Sequence, residues 1–293
     1  MKNTVFTGSG VAIVTPMNAD GSICYDAFGA LIEEQIQNHT DAIIVAGTTG
    51  EASTMTDEEH IEIIRYTVEK VGKRVPVIAG TGSNDTYYAI ELSKQAQEAG
   101  ADALLQVTPY YNKTSQRGLI AHFRAIADAV SIPIILYNVP SRTGVKISID
   151  TYVELAKHPN IVATKEASGD FSLIAEIAAK TDLDIYSGND DQVLPLLALG
   201  GKGVISVSAN VIPQQKHDMV DLFLNGKRDE ALALQKKYLD LEKALFMDVN
   251  PIPVKEAMNL MGKKTGEWRL PLVKMEDSKI ESLKNALKNA GLL

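Results

Sequence analysis

Lys165 closes the apolar run Ile161-Val162-Ala163-Thr164, which sets one primary amine where a buried strand stops. An amine held neutral there can attack a carbonyl and form a Schiff base. In water a lysine with pKa ~10.4 is only about 0.1% neutral near pH 7.4, and lowering that pKa by roughly three units costs about 4 kcal/mol. Burial and a nearby cation supply shifts of that size, whereas a lysine that snorkels out of the strand end would do no chemistry. Tyr137 follows a second apolar run, Ile132-Pro133-Ile134-Ile135-Leu136, and a phenol beside an amine can pass protons. Arg142, five positions on, offers a planar fork for a carboxylate, or else serves as an ordinary solvated loop arginine. Gly47-Thr48-Thr49-Gly50 lacks the lysine and the spacing of a P-loop. Its hydroxyls and backbone N–H groups suit a small carboxylate, and a plain tight turn is the alternative. Tyr110 and Tyr111 are either site residues or interface aromatics.

These residues follow short apolar runs, and the runs repeat. Candidate strands are Val11 to Val14, Ala42 to Val45, Val75 to Ile78, Ala103 to Val107, Ile132 to Leu136, Ile161 to Thr164, Leu183 to Tyr186 and Val204 to Val207. Amphipathic stretches separate them. After Thr56, which forms a capping box with Glu59, the residues Ile61, Ile64, Val68 and Val71 fall on one helical face. Near-continuous apolar strands alternating with helices predict a parallel sheet covered on both sides, and eight such units predict a closed (β/α)8 TIM barrel. A doubly wound sheet would bring a Gly-rich fingerprint after its first strand, but Thr15-Pro16-Met17 stands there instead.

In such a barrel the reacting groups sit at the C-terminal ends of the strands, which is where the residues above lie. Side chains alternate along a strand, so Lys165 is expected to share a face with Ala163 and Ile161 and to point at the apolar centre. A barrel needs about 250 residues, and its last helix, near Gln214 to Leu224, ends well short of residue 293. Leu234, Tyr238, Leu241 and Leu245 keep helical spacing, as do Ile280, Leu283 and Leu287, with Asn250-Pro251-Ile252-Pro253 breaking the pattern between them. The expected organisation is a catalytic barrel over 1–226 and a small C-terminal helical domain over 227–293.

Composition narrows the partners. The 29 basic and 37 acidic residues give a net charge of −8, and no Lys/Arg block offers a surface for tracking phosphates, so nucleic acid is not an expected partner. Cys24 is the only cysteine, which rules out an intrachain disulfide and a cysteine-built zinc site and fits a reducing cytoplasm. It lies in a turn-rich stretch with no catalytic signature and is read as inert. Asp57-x-x-His60 is read as a charged first helical turn rather than as metal ligands. The segment Met1 to Gly8 lacks the apolar stretch of an export signal, and no window reaches the ~18 apolar residues of a membrane span.

Taken together, Gly47-Thr48-Thr49-Gly50-Glu51, Tyr137-Asn138-Val139-Pro140-Ser141-Arg142-Thr143-Gly144 and Lys165-Glu166-Ala167 closely resemble the pyruvate-dependent class I aldolase and lyase family. The resemblance extends from Gly8-Ser9-Gly10-Val11-Ala12-Ile13-Val14-Thr15-Pro16 to Asn250-Pro251-Ile252-Pro253-Val254-Lys255 and on to the C-terminus. It implies condensation of pyruvate with L-aspartate 4-semialdehyde to 4-hydroxy-tetrahydrodipicolinate, the first committed step toward diaminopimelate and lysine, with no metal or organic cofactor. Lys165 would form the imine with pyruvate. Tyr137, Thr48 and Tyr111 would form a proton relay, Tyr111 reaching in from a neighbouring subunit of a homotetramer built as a pair of tight dimers. Thr48 and Thr49 would hold the pyruvate carboxylate, Arg142 that of the semialdehyde, and the backbone of Gly188 and Ile205 would line the pocket.

Two alternatives remain. N-acetylneuraminate lyase shares the barrel and the lysine, but the sugar-acid lyases generally lack an arginine at the position of Arg142. A non-catalytic small-molecule sensor on the same barrel would lack a nucleophile or a relay residue, and none is missing. One departure concerns regulation. In family members inhibited by lysine the inhibitor pocket aligns with Ala52, Ser53, Asp57, His60, Asn84, Tyr88 and Tyr110, commonly with histidine in place of Asp57 and glutamate in place of Tyr88. Losing that glutamate removes a carboxylate for the ligand ammonium, so feedback inhibition is expected to be weak or absent.

Overall fold

The computed structural model describes residues 2–293. Met1, which opens the segment read above for an export signal, lies outside them. Eight parallel strands close on themselves in chain order: β1 (Gly8–Ala12), β2 (Ala42–Val45), β3 (Val77–Gly80), β4 (Ala103–Val107), β5 (Ile134–Asn138), β6 (Ile161–Glu166), β7 (Asp184–Ser187) and β8 (Gly203–Ser206), with β8 pairing back onto β1. Around them run α1 (Tyr25–Gln37), α2 (Asp57–Val71), α3 (Thr86–Glu98), α4 (Gln116–Ala129), α5 (Pro140–Thr143), α6 (Ile149–Leu155), α7 (Phe171–Lys180), α8 (Val193–Ala198) and α9 (Pro213–Leu224). The fold is the (β/α)8 barrel that the alternation predicts, and α10 (Arg228–Ala244), α11 (Ile252–Leu260) and α12 (Asp277–Asn289) complete the chain.

The strands start where backbone chemistry lets them. β3 and β5 begin two residues later than their apolar runs because Pro76 and Pro133 have no N–H to give the ladder. Their carbonyls still accept, from Ile43 at 3.0 Å and Leu104 at 2.9 Å. β1 begins earlier than Val11, at Gly8, which carries no apolar signal. A Cβ on its neighbour Gly203 would stand 1.9 Å from the Gly8 carbonyl oxygen, so only glycine permits this seam between β1 and β8. In α2 the expected capping box is present, with Thr56 Oγ1 accepting from Glu59 N at 3.2 Å and the Glu59 carboxylate accepting from Thr56 N at 3.1 Å.

Side chains form one cluster inside the barrel, including Ile44, Ile78, Leu105, Ile135, Tyr137, Ala163, Tyr186 and Ile205, and another between barrel and helices. Tyr238 and Leu241 of α10 and Leu283 and Leu287 of α12 belong to the outer cluster, and α10 packs on α9 and α12. The expected break at Asn250 to Pro253 is a helix start. Pro251 caps α11, and Pro253 lies in its first turn, where a missing N–H costs no intrahelical bond. Among the described residues no helix is long and apolar enough to cross a membrane.

Candidate active site

Lys165 lies within β6, one residue before its end, and pairs in register with Tyr137 of β5. Its side chain points into the barrel and is 6% exposed, with Nζ 4.3 Å from the Tyr137 ring centroid. The expected company of Ala163 is found; that of Ile161 is not. Ile134 pairs with Ile161 but Ile135 with Ala163, so Val162 is an extra residue that breaks the alternation. Ile161 therefore faces the helices, while Val162, Ala163 and Lys165 face inward. Glu166, on the outer face, accepts from Asn138 Nδ2 at 2.8 Å and Ser168 Oγ at 2.6 Å, which anchors the end of the strand.

The electrostatics favour a nucleophile. Burial lowers the Lys165 pKa to about 8, Asp190 opposes the shift, and the Arg142 guanidinium adds to it. At pH 7 roughly 10% of the amine is then neutral, against about 0.03% at the ordinary value. Burial pushes the Tyr137 phenol up to about 12, with Arg142 acting in the opposite direction, so at neutral pH the phenol keeps its proton and can donate it. A Cβ on Gly188 would stand 3.1 Å from Lys165 Cε and 2.8 Å from the Ala167 methyl, so glycine here leaves the amine its room. Ile205, fully buried in β8, completes the inner wall.

The segment after β2 forms a tight turn. Gly50 N donates to Gly47 O at 3.1 Å and Glu51 N to Thr48 O at 3.1 Å, which closes a tight turn. Among the described residues the N–H groups of Thr48 and Thr49 have no partner, so they are available to an anion. Thr48 is exposed at the mouth and Thr49 is buried. Arg142, on the short helix α5, reaches across the mouth and donates from Nη2 to Asn250 O at 3.3 Å, while Asn250 Nδ2 donates to Thr49 Oγ1 at 3.0 Å. Asn250 thus ties together the two elements expected to hold carboxylates. Sequence reasoning treated it as part of a helix break; its signal was an amide immediately before a proline, a position held out of the helical region.

Tyr111 stands apart. It occupies the connection between β4 and α4, is 92% exposed with φ of 65°, and projects away from the body of its own chain. His60 is a core histidine, its Nε2 2.8 Å from Gly80 O, and Asp57 instead accepts from Tyr88 OH at 2.6 Å. Among the described residues no group of three or more His, Cys, Asp or Glu side chains is gathered as a metal would require.

Two further buried carboxylates went unassigned in the sequence. Glu51, just past the turn, pairs with Lys255 of α11 at 2.6 Å. Asp190, two residues past Gly188, accepts from Ser206 Oγ at 2.5 Å and from the N–H groups of Val207 and Ser208 at 3.0 and 2.9 Å. Glu51 stands in a motif and Asp190 in none, but the partners that define each role lie in other elements of the chain.

The arrangement has close counterparts in known proteins. A 4-hydroxy-tetrahydrodipicolinate synthase from Caldicellulosiruptor saccharolyticus is 57% identical over 289 residues, which cover 98% of this chain and 98% of that protein. The crystal structure of the chloride-inhibited dihydrodipicolinate synthase from Acinetobacter baumannii complexed with pyruvate is 46% identical, with a TM-score of 0.96 over 99% of this chain and 100% of its own. That of the Cyanidioschyzon merolae enzyme with lysine bound is 43% identical, with a TM-score of 0.97 over 99% of this chain and 100% of its own. The model of the dihydrodipicolinate synthetase family matches residues 5–290. With an inward lysine beside a tyrosine at the barrel mouth and a match along nearly its whole length, the chain belongs to the dihydrodipicolinate synthetase family.

Proposed function

We propose that this chain acts as a 4-hydroxy-tetrahydrodipicolinate synthase and that Lys165 is its nucleophile. The observation that carries the reading is the buried Lys165 amine, 4.3 Å from the centre of the Tyr137 ring. Lys165 Nζ attacks the ketone carbon of pyruvate, and the oxygen leaves as water after taking up protons by way of Tyr137. Loss of a proton from the methyl carbon of the imine gives an enamine, whose carbon adds to the aldehyde of L-aspartate 4-semialdehyde. The amine of the semialdehyde then displaces Lys165 and closes the ring. Thr48 and Thr49 hold the pyruvate carboxylate through their unpartnered N–H groups, Arg142 holds the semialdehyde carboxylate, and Gly188 and Ile205 line the pocket. Borohydride reduction in the presence of pyruvate, followed by peptide mass spectrometry, must place a reduced adduct on Lys165. The second substrate is tested by offering aspartate semialdehyde and N-acetylmannosamine side by side; preference for the sugar would overturn the synthase assignment.

The working form we propose is a cytoplasmic homotetramer of tight dimers, with residues 227–293 as a helical appendage to the barrel. Tyr87, Tyr88, Tyr110 and Tyr111 are exposed together on α3 and the β4–α4 connection, an aromatic surface suited to a second copy. In that dimer Tyr111 enters the partner's site to complete the relay with Thr48 and Tyr137. Lys165→Met and Tyr111→Phe chains, each nearly inactive alone, should regain activity when co-refolded, because a mixed dimer holds one site with both residues intact. No recovery in subunits shown to mix would refute the shared site.

The Asp57 to Tyr88 hydrogen bond supports the expectation about lysine. Asp57 is engaged through Oδ1 by the residue that replaces the ligand-binding glutamate, and Tyr88 brings no carboxylate to an ammonium group. Millimolar lysine is expected to leave the condensation rate within a factor of about two. Potent inhibition in a titration would contradict this.

A further inference from the structure

Behind the wall formed by Gly188 and Ile205 lies a cluster of charge that the proposed reaction does not use. Lys216 of α9 is fully buried, with Nζ 3.5 Å from Asp190 Oδ1 and 3.4 Å from the Asp190 carbonyl oxygen. It also pairs with Glu242 of α10, itself buried. Gln235, two turns earlier on the same face of α10, donates to Glu242 Oε2 at 2.8 Å and to Asp190 O at 3.2 Å. Both carboxylate oxygens and the carbonyl oxygen of Asp190 are thereby engaged. Its carboxylate holds the end of β8 through Ser206, Val207 and Ser208, and its carbonyl is held by α9 and α10. The end of β8 and the connection after β7 hang from one residue, and that residue hangs from α9 and α10.

A buried ion pair is weak as a stabilising device, because apolar residues of the same volume often do as well. Here the pair holds Asp190, two residues from the Gly188 that lies against the Lys165 stem. The groups facing Lys165 are Tyr137 from β5, Arg142 from α5 and Asp190 from the connection after β7; Asp190 is the one carboxylate among them. Those facing the pair are Asp190 and its neighbour Asp191. Burial opposes ionisation of Asp190, but Lys216 and the Ser206 and Ser208 donors outweigh it and hold the carboxyl below its usual range.

We propose that Lys216 and Glu242 are positioning residues for imine formation: they fix Asp190 behind the pocket wall and, through it, set how readily Lys165 gives up its proton. This rests on Lys165 being the nucleophile. An unopposed Asp190 carboxylate favours the ammonium form of Lys165, and Lys216 offsets it. Burial pushes the Glu242 carboxyl up to about 7, and above that pH its charge offsets Lys216 and restrains how far the amine is made acidic. Removing either charge must therefore move Lys165 in opposite directions.

The test is the rate of pyruvate-dependent borohydride trapping at Lys165, followed by mass spectrometry as a function of pH. In Lys216→Met the midpoint should rise by about one unit, slowing trapping roughly tenfold below it, with recovery at high pH. In Glu242→Gln the midpoint should fall, and in the double variant it should return to near the parent value. A purely structural role would lower the rate at every pH without moving the midpoint. Superimposable profiles, or single variants that shift the same way, overturn the proposal. Lys216→Met leaves two buried carboxylates without a cation, so if it does not fold, Glu242→Gln and the double variant decide. Failure of the parent to form any adduct at Lys165 would instead refute the nucleophile assignment, which keeps the two readings separable.

Discussion

Lys165→Met lowers the condensation rate by on the order of 10⁴-fold while leaving the protein folded. Methionine nearly matches the volume of the lysine stem and places no polar atom in the apolar interior, so packing beside Tyr137 and Ala163 is retained. What is lost is the amine proposed to form the imine, and with it the electron sink that would make the pyruvate methyl group acidic. The N–H groups of Thr48 and Thr49, proposed to hold the pyruvate carboxylate, are untouched, so binding should fall far less than turnover. Steady-state assays on a variant whose melting temperature matches the parent would check this. A residual rate above about a tenth of the parent would remove Lys165 from the mechanism.

Lys255→Met, by contrast, should be felt mainly in stability. Glu51 and Lys255 are both fully shielded from solvent and pair at 2.6 Å. The Lys255 amine also donates to Glu267 O, and Glu51 Oε2 accepts from Arg269 N at 3.3 Å. Removing the cation leaves a buried carboxylate uncompensated, which typically costs about 3–5 kcal/mol. In a chain of this size that lowers the melting temperature by roughly 10 °C. Glu51 has φ of 59° and directly follows the Thr48-Thr49-Gly50 turn, so turnover should fall as well when the turn loses its anchor. Adding Glu51→Gln should recover part of the loss, since no charge is then stranded. Thermal denaturation decides, and a single variant melting within 2 °C of the parent, against the roughly 10 °C expected, would refute the account.

Much of the barrel was legible because its strands are short, apolar and regularly interrupted. Its errors fall where backbone, not side chain, decides. Glycines at the start of β1 and β8 carry no apolar signal, and Pro76 and Pro133 delay β3 and β5 although they stand in apolar company. The inward direction of Lys165 was anticipated, but by strict alternation from Ile161, which the extra Val162 breaks. Lys165, Tyr137, Gly188 and Ile205 meet because each lies at the end of a strand, and position in the barrel alone brings them together. Asn250, Lys255, Lys216 and Glu242 could not be found that way. They stand on helices, or in Asn250's case just before one, whose placement depends on tertiary packing, and no short spacing records it.

The extra residue in β6 has a wider implication. In a strand of strict period two, the side that a residue faces is settled by counting from any earlier one; with Val162 inserted, the second half of β6 runs out of phase with the first. Ile161 can thus face the helices, as its partner Ile134 does, and Lys165 the interior, as its partner Tyr137 does. The same six residues without the offset would present Thr164 to the substrate and leave the amine among the helices. For this chain, chemistry depends on phase as much as on composition, and a shift of one residue would separate the two without changing either neighbour of the lysine.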